Sequence, residues 1–393
     1  MALQSRQPLG DVLPPLVLGT ATFNHQYHPD PERMPYVDIV RRALEHNITA
    51  FDTSPYYGPS EVLLGQALST LSPPRENFFL ITKAGRIASS DFDYSPAWIR
   101  YSVCRSLERL RTPYLDLVYT HDVEFVSPDE VLEAVCELRR LRDQGVIRYV
   151  GISGYPVEVL AELAEMILQK TGEPLDAVLS YANFTIQNDR LGQTEYLDRF
   201  EAAQVGCLLN ASILGMGLLT TRGVENGPMV SWHPAPPELR KRCSDLSVMA
   251  QADGEHLEEV SIRWALKNWA RIGARFGTRL PATGPDASSA RPKSSTRIGV
   301  SVMGVSAVEE LEETWRVWQS VMGLCESENE QTRKSITHLV EEIMWPSLGE
   351  WKNHAWQSGG ASFINTRQVK GVIPADDGIA ERWGIAIEAA VAG

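Results

Sequence analysis

The sequence has little of what marks several classes of protein. Its five cysteines stand far apart, with no CxxC pair and no His/Cys cluster, so neither a zinc site nor a disulfide framework is indicated. No run of about 18 apolar residues occurs, and the N-terminus lacks the pattern of a signal peptide. The formal net charge of -13 argues against a general attraction to nucleic acid or anionic membranes. We therefore expect a cytoplasmic protein, monomeric or weakly homo-oligomeric, with a small-molecule partner and no bound metal.

What the chain does contain is an alternation of apolar runs of strand length with segments of helical period, repeated eight times. The predicted strands are LVLGT, TAFDT, FFLITK, LDLVYTH, IRYVGIS, AVLSYA, GCLLNAS and RIGVSVMG. Because they are apolar nearly throughout, they are typical of parallel strands covered by helices, and eight such units would close a (β/α)8 TIM barrel. A doubly wound open sheet is the alternative, weakened because LGTATF at the first turn has no GxGxxG pattern.

Two segments fall outside this repeat. Residues 277–297 are rich in Gly, Pro, Ser and Ala, and they are predicted to form a flexible surface insertion ahead of the eighth strand. Residues 326–393 carry several tryptophans that are too apolar to be left in water, so this region is predicted to pack back on the body. The predicted division is a barrel over 1–325 and a C-terminal extension over 326–393.

Ionisable side chains end three consecutive predicted strands. Asp52 ends the second strand, Lys83 the third and His121 the fourth, and Tyr57 lies in the loop after Asp52. Reactive groups of a (β/α)8 barrel sit at the C-terminal strand ends, so adjacent strands would bring these groups together. Singly, each has a plain structural interpretation, as a turn cap, a surface lysine, a core histidine or a packed ring.

Jointly, the four groups suit hydride transfer to or from a carbonyl. Tyr57 would move the proton, and Lys83, held by Asp52, would favour the ionised form of the tyrosine. His121 would hold the substrate oxygen by a hydrogen bond.

Several motifs resemble those of the aldo-keto reductases and occur in the same order: VLGTATF, FDTSPYYGPSEVLLGQAL, FLITKAG, SLERLRTPYLDLVYTHDVEF, LRRLRDQGVIRYVGIS and LLNASILGMGLLT. The resemblance implies a (β/α)8 barrel that binds a nicotinamide cofactor without a Rossmann domain. It also implies a catalytic tetrad made of Asp52, Tyr57, Lys83 and His121. Tyr57 matches rather than Tyr56 because the family tyrosine directly precedes a glycine, here Gly58.

The motifs THDVEF and GISGYP narrow the likeness to the branch that holds the D-arabinose and L-galactose dehydrogenases, which oxidise the anomeric carbon of a free sugar with NAD. The product would be a lactone. Asp122 and Glu124 would then accept hydrogen bonds from sugar hydroxyls, although solvated loop carboxylates are the other interpretation. A carbonyl reductase of a less polar aldehyde or ketone is the alternative function, and a non-catalytic nucleotide-binding subunit is a third.

The resemblance also implies the cofactor contacts. Ser153 would meet the nicotinamide amide, Tyr181 would stack on the ring, and the loop after the seventh strand would line the pyrophosphate. The full set is Gly19, Thr20, Ser153, Tyr181, Ser212, Leu214, Gly217, Gly304, Ser306, Glu310 and Thr314.

A preference for NAD over NADP is predicted from the eighth loop. The positions that hold the 2′-phosphate in the family fall at Gly304, Ser306 and Glu310, and none of these is basic. A carboxylate at Glu310 would repel the phosphate and could accept hydrogen bonds from the free ribose hydroxyls. The other interpretation places Glu310 on the solvated face of a helix.

Overall fold

Eight parallel strands close into a barrel in the computed structural model, which describes residues 6–280, 297–322, 335–375 and 377–384. Around the barrel the order is β1, β10, β7, β6, β5, β4, β3 and β2, so neighbours in sequence are neighbours in space. The barrel strands are β1 (Leu16–Gly19), β2 (Ala50–Asp52), β3 (Phe79–Ala84), β4 (Leu115–His121), β5 (Ile147–Gly154), β6 (Ala177–Tyr181), β7 (Cys207–Ala211) and β10 (Val300–Gly304). The predicted (β/α)8 TIM barrel is confirmed.

Helices follow the strands and cover the outside of the barrel. They are α1 (Tyr36–Glu45), α2 (Ser60–Leu71), α3 (Pro96–Leu110), α4 (Pro128–Asp143), α5 (Val157–Thr171), α6 (Thr194–Ala202), α7 (Pro237–Ala252), α8 (Leu257–Ile272) and α9 (Val308–Val321). Ser95 and Ser127 cap the N-termini of α3 and α4, and Ser127 forms a reciprocal capping box with Glu130.

The sequence analysis missed α7. A long loop, residues 212–236, follows β7, and α7 comes before α8 instead of a single helix. The signal was present but weak: Pro237 opens the helix, and the buried residues recur at helical spacing at Leu239, Cys243, Leu246 and Ala250.

Apolar side chains fill both the inside and the outside of the barrel. Inside, small and branched residues such as Val17, Ile81 and Leu209 meet Leu9 and Leu13, which close the end where the strands begin. A second, larger cluster lies between the strands and the helices. Two-sided burial is why the strands are apolar throughout.

The ends of the predicted insertion lie far from the C-terminal strand ends. Two short antiparallel strands, β8 (Thr278–Arg279) and β9 (Arg297–Ile298), lead into the start of β10, and Arg279 pairs with Asp11 at 3.0 Å. The rest of the insertion, 281–296, lies outside the described residues. Its two ends are therefore anchored where the strands begin.

The described C-terminal residues contact the barrel at several places. A π-helical segment, Leu339–Met344, runs into a short helix at Trp345–Leu348, and the Trp345 indole donates to the carbonyl of Ile186 at 3.0 Å. Farther on, Ile379 packs on α3 beside Trp98. The predicted boundary at 325/326 lies outside the described residues.

Candidate active site

A buried ion pair joins the ends of β2 and β3. The Lys83 ammonium donates to Asp52 Oδ1 at 2.6 Å and to the carbonyl of Thr53 at 2.9 Å, and Lys83 is 2% exposed. Burial raises the pKa of Asp52, and the charge and hydrogen bond of Lys83 oppose this rise. The second carboxylate oxygen of Asp52 is buried without a hydrogen-bond partner. This pair fixes the lysine beneath the loop that carries Tyr57.

Tyr57 lies over this pair in a tight turn. The Lys83 ammonium is 4.8 Å from the centroid of the Tyr57 ring. Gly58, which follows, has φ of +55°, and a Cβ there would approach Asn24 Oδ1 to 3.1 Å. A glycine at this place thus lets the turn present the tyrosine ring.

Burial and several nearby charges act on the protonation of Tyr57. Burial raises the pKa of Tyr57 well above its usual value, and the negative charges of Asp52 and Asp122 raise it further. The positive charge of Arg86 opposes these effects only in part. Tyr57 is therefore a neutral phenol in this structure, which can donate a proton and must lose its own proton before it can accept one.

His121 ends β4 and faces both tyrosines. Its ring centroid is 5.6 Å from that of Tyr57, with the rings perpendicular. Burial lowers the pKa of His121 to about 3, so the imidazole is neutral. Its Nδ1 lies 3.0 Å from the Ser54 hydroxyl, and its Nε2 lies 3.7 Å from Asp122 Oδ2. Since the Asp122 carboxylate can only accept, the proton is favoured on Nε2, and Ser54 donates to Nδ1.

Arg86 is a site residue that the sequence analysis missed. Its guanidinium forms an ion pair with Asp122, donates to the Tyr56 hydroxyl at 3.0 Å and lies 3.8 Å from the centroid of that ring. Burial alone would raise the pKa of Asp122, but the surrounding His121 and Arg86 lower it. The only signal in the sequence is a basic residue three positions after Lys83, in a loop that has no motif of its own.

The two candidate substrate carboxylates have different surroundings. Asp122 is beside His121 and adopts φ of +58°, uncommon for a residue with a side chain. Glu124 instead turns inward: its Oε1 accepts from the Ser358 hydroxyl at 2.7 Å and from the Tyr155 amide at 3.1 Å. Asp122, but not Glu124, thus directly adjoins the histidine of the candidate tetrad.

Small residues leave room for a cofactor across the strand ends. Gly19 and Gly304 are paired in register at the ends of β1 and β10, and Gly304 is exposed. A Cβ at Gly304 would lie 3.4 Å from Thr22, at van der Waals contact. In contrast, the Thr20 hydroxyl is buried and tied to Ser60 at 2.7 Å. Gly304 thus presents backbone without a side chain at the strand ends, whereas Gly19 is buried against β10.

Other predicted cofactor residues line the same end. Ser153 is the last residue but one of β5 and its hydroxyl donates to the carbonyl of Thr120 at 3.1 Å. Tyr181 is the last residue of β6 and is partly exposed. In the loop after β7, Ser212 and Gly217 both have positive φ, and Leu214 lies between them. A nicotinamide ring near the tetrad and a pyrophosphate over the loop after β7 stay predictions for these residues.

The start of α9 is shaped by Glu310. Its Oε2 accepts from the Ser306 amide at 2.6 Å and from the Ser306 hydroxyl at 3.0 Å. Thr314, one turn farther along, is 2% exposed and faces the core. Glu310 therefore organises the loop that would meet the adenosine end.

These features define an oxidoreductase of the barrel type that carries an Asp-Tyr-Lys-His set at the C-terminal strand ends. The model of the aldo/keto reductase family matches residues 15–334, and the chain belongs to this family. Members of the family use NAD(P)H, which the site described above fits. None of the helices in the described part of the chain is long and apolar enough to cross a membrane.

Named relatives agree with the expected branch. The chain is 39% identical over 350 residues to D-arabinose 1-dehydrogenase of Saccharomyces cerevisiae, covering 88% of this chain and 93% of that protein. It is 30% identical over 315 residues to L-galactose dehydrogenase of Arabidopsis thaliana, covering 79% and 86%. The solved glycerol dehydrogenase of Gluconobacter oxydans shares the fold, with a TM-score of 0.56, 20% identity, and coverage of 92% of this chain and 100% of that one.

Proposed function

We propose that the protein oxidises the anomeric carbon of an aldose to the lactone, with NAD as the preferred cofactor. The observation that carries this proposal is the buried Arg86–Asp122 ion pair beside His121. A sugar offers several hydroxyls, each both donor and acceptor, and such a pair supplies matching groups. The names of the two relatives at 39% and 30% identity support the same substrate class.

The residues of the tetrad divide the work on the anomeric hydroxyl. The hydroxyl must lose its proton when the carbon loses hydride, and Tyr57 is the group proposed to receive it, in the phenolate form that it reaches by first releasing its own proton to solvent. Neutral His121, with its proton on Nε2, would donate a hydrogen bond to the substrate oxygen. Lys83, held by Asp52, lies against the Tyr57 ring and supplies a positive charge there. A bound nicotinamide dinucleotide supplies the hydride acceptor.

The Arg86–Asp122 ion pair also argues against the alternative of a less polar substrate. An apolar aldehyde would bury the Asp122 carboxylate and the Arg86 guanidinium without offering hydrogen bonds in return, which costs free energy. One observation favours carbonyl reduction as the second candidate: the raised pKa of Tyr57 suits proton donation. The two candidate functions therefore differ more in the polarity of the substrate than in the direction of hydride transfer.

The test measures NADH formation at 340 nm over a panel of aldoses, including D-arabinose and L-galactose, and NADH or NADPH consumption over a panel of hydrophobic aldehydes and ketones. We expect turnover with at least one pentose or 6-deoxyhexose, and lactone as the product. If no aldose reacts while hydrophobic carbonyls are reduced, the second candidate replaces the first.

A further inference from the structure

The C-terminal segment Trp351–Gly371 crosses the rim of the barrel at the end that holds the tetrad. Near its start, the Asn353 amide donates to the carbonyl of Gln187 at 2.8 Å, in the loop after β6. Trp356 stacks on Tyr155 beyond β5, with ring centroids 4.7 Å apart. Farther along, the Asn365 side chain bonds the backbone of Phe92 beyond β3. This segment lies past residue 334, where the match to the family model ends.

Glu124 is the carboxyl that this segment covers. Glu124 is 9% exposed, and its Oε2 is buried without a hydrogen-bond partner. A Cβ at Gly154 would lie 2.5 Å from that oxygen, and a Cβ at Gly359 would collide with the Glu124 carbonyl. Glycines on both sides therefore allow the barrel and the segment to close tightly on this one residue, and Ser358 adds a hydrogen bond at 2.7 Å.

The same segment supports Arg86 from behind. Phe363 contacts the Phe125 ring, with centroids 4.7 Å apart, and the Phe92 ring at 5.6 Å. The Arg86 guanidinium lies 5.4 Å and 5.6 Å from the centroids of Phe92 and Phe125, respectively. Phe125 and Glu124 belong to one short 3-10 helix, Val123–Phe125, which follows Asp122 directly.

We propose that Glu124 is a positioning residue, which docks the C-terminal segment through Ser358 and so holds Asp122 and Arg86 in the geometry that binds the substrate. Asp122 has a positive φ, a conformation that persists only where the surroundings over-determine it. The docked segment supplies that constraint through Glu124 on one side and Phe125 on the other. The substrate part of this proposal rests on the proposed aldose oxidation, whereas the docking part does not.

Docking through Glu124 depends on pH. Burial raises the pKa of Glu124 to about 8, and the neighbouring Asp122 charge contributes. The docked state thus holds a proton that a solvated carboxyl releases near its usual pKa. Docking is therefore strongest at low pH. The docking equilibrium weakens by up to about tenfold per pH unit as pH rises towards about 8, and it is constant at higher pH.

The other groups around Glu124 keep one charge state between pH 7 and 9. Asp122 stays ionised because its pKa is lowered, and Arg86 stays charged because its pKa is raised. Burial raises the pKa of the three nearby tyrosines, which therefore remain neutral: Tyr94 just before α3, Tyr155 just after β5 and Tyr181 at the end of β6. His121 remains neutral because its pKa is lowered. Glu124 is the member of this set that titrates in the window.

The first experiment measures backbone hydrogen exchange of residues 351–371 in the full chain from pH 7 to 9, corrected for intrinsic exchange. We expect protection in the native protein to fall as pH rises to about 8. Glu124→Gln should remove this dependence, and Ser358→Ala should lower protection at every pH. Ser362→Ala is the matched control, because Ser362 lies in the same segment and bonds only Gln357 among the described residues.

Kinetics supply the second measurement. With an aldose as substrate, Ser358→Ala should raise KM several-fold with kcat nearly unchanged, and Ser362→Ala should behave as the native protein. Protection that is independent of pH, or equally dependent on pH in Glu124→Gln, would overturn the proposal. If Glu124→Gln does not fold, unchanged protection in Ser358→Ala overturns it. If no aldose is oxidised, the proposed function fails, but the exchange experiment still decides the docking.

Discussion

The two ends of the barrel use buried carboxylates in different ways. Where the strands begin, every oxygen of Asp116 and Asp176 is occupied. Asp116 accepts from two arginines and the Leu80 amide, and Asp176 binds Arg6 through both oxygens and the Val150 amide. Where the strands end, one oxygen each of Asp52 and Glu124 is buried with no partner.

This difference separates carboxylates that only tie the fold together from carboxylates at or beside the candidate active site. A buried carboxylate whose two oxygens both accept hydrogen bonds from the protein ties strands and loops together. An incompletely satisfied one keeps a free-energy cost that a fold tolerates where it binds or reacts. Buried carboxylates thus have different expected roles at the two ends of the barrel.

The largest effect is expected for Tyr57→Phe. Removing the hydroxyl while leaving the ring takes away the proposed proton acceptor, so kcat should fall by about 10²–10⁴-fold while the cofactor still binds. Steady-state kinetics and cofactor titration measure the two quantities. Tyr56→Phe is the matched control, because it also removes a phenol hydroxyl, but one that bonds Arg86 and has no proposed part in the proton transfer. A collapse in Tyr56→Phe with normal turnover in Tyr57→Phe would show that the wrong tyrosine was assigned.

A smaller but still large effect is expected for Lys83→Met. This change removes the cation beneath Tyr57 and leaves Asp52 unpaired in a buried site, so the protein should also lose about 3–5 kcal/mol of stability. The kcat of oxidation should fall or its optimum move to higher pH. Kinetics on the folded fraction, together with thermal unfolding, separate the two effects. Native-like kcat and an unchanged optimum would exclude Lys83 from the reaction.

The pH dependence of oxidation tests the protonation of Tyr57. A proton acceptor must be ionised, and the pKa of Tyr57 is raised by burial, so its ionised fraction increases as pH rises from 7 to 9. We expect kcat to increase over this range by up to about tenfold per pH unit. The measurement is kcat at saturating aldose, which is distinct from KM, where the Glu124 effect should occur. A kcat that falls with pH would contradict this assignment.

The smallest effect concerns cofactor choice. The native protein should give a higher kcat/KM with NAD than with NADP. Glu310→Gln keeps an acceptor for Ser306 but removes the charge. The ratio of kcat/KM with NAD to kcat/KM with NADP should therefore fall about fivefold, which corresponds to about 1 kcal/mol. Glu310→Arg should move it further. A native preference for NADP, or an unchanged ratio in Glu310→Arg, would contradict the prediction.

Strand positions and the meeting of the tetrad residues were predictable from the sequence because they depend on local patterns. Continuous apolar runs mark the strands, and the fixed geometry of a barrel brings the strand ends together. Arg86 was not predictable, since its ion pair with Asp122 joins two loops. Neither was the burial of Glu124, which depends on Ser358, 234 residues away.

The protonation of Tyr57 shows a further limit. The sequence indicated a lysine near the tyrosine, which favours the ionised form. Its pKa depends first on how much water the folded chain removes, and then on the charges of Asp52, Asp122 and Arg86. These are properties of packing, and no local pattern records them.

The most direct test compares Asp122→Asn with Asp116→Asn on the best aldose. Each change removes one buried carboxylate that pairs with arginine. We expect Asp122→Asn to lower kcat/KM by about tenfold or more, mainly through KM, because the lost groups are worth about 1–3 kcal/mol to a substrate. Asp116→Asn should lower the thermal midpoint and leave kcat/KM of the folded protein unchanged. Equal kinetic losses in both variants, or a loss confined to Asp116→Asn, would contradict the division between the two ends.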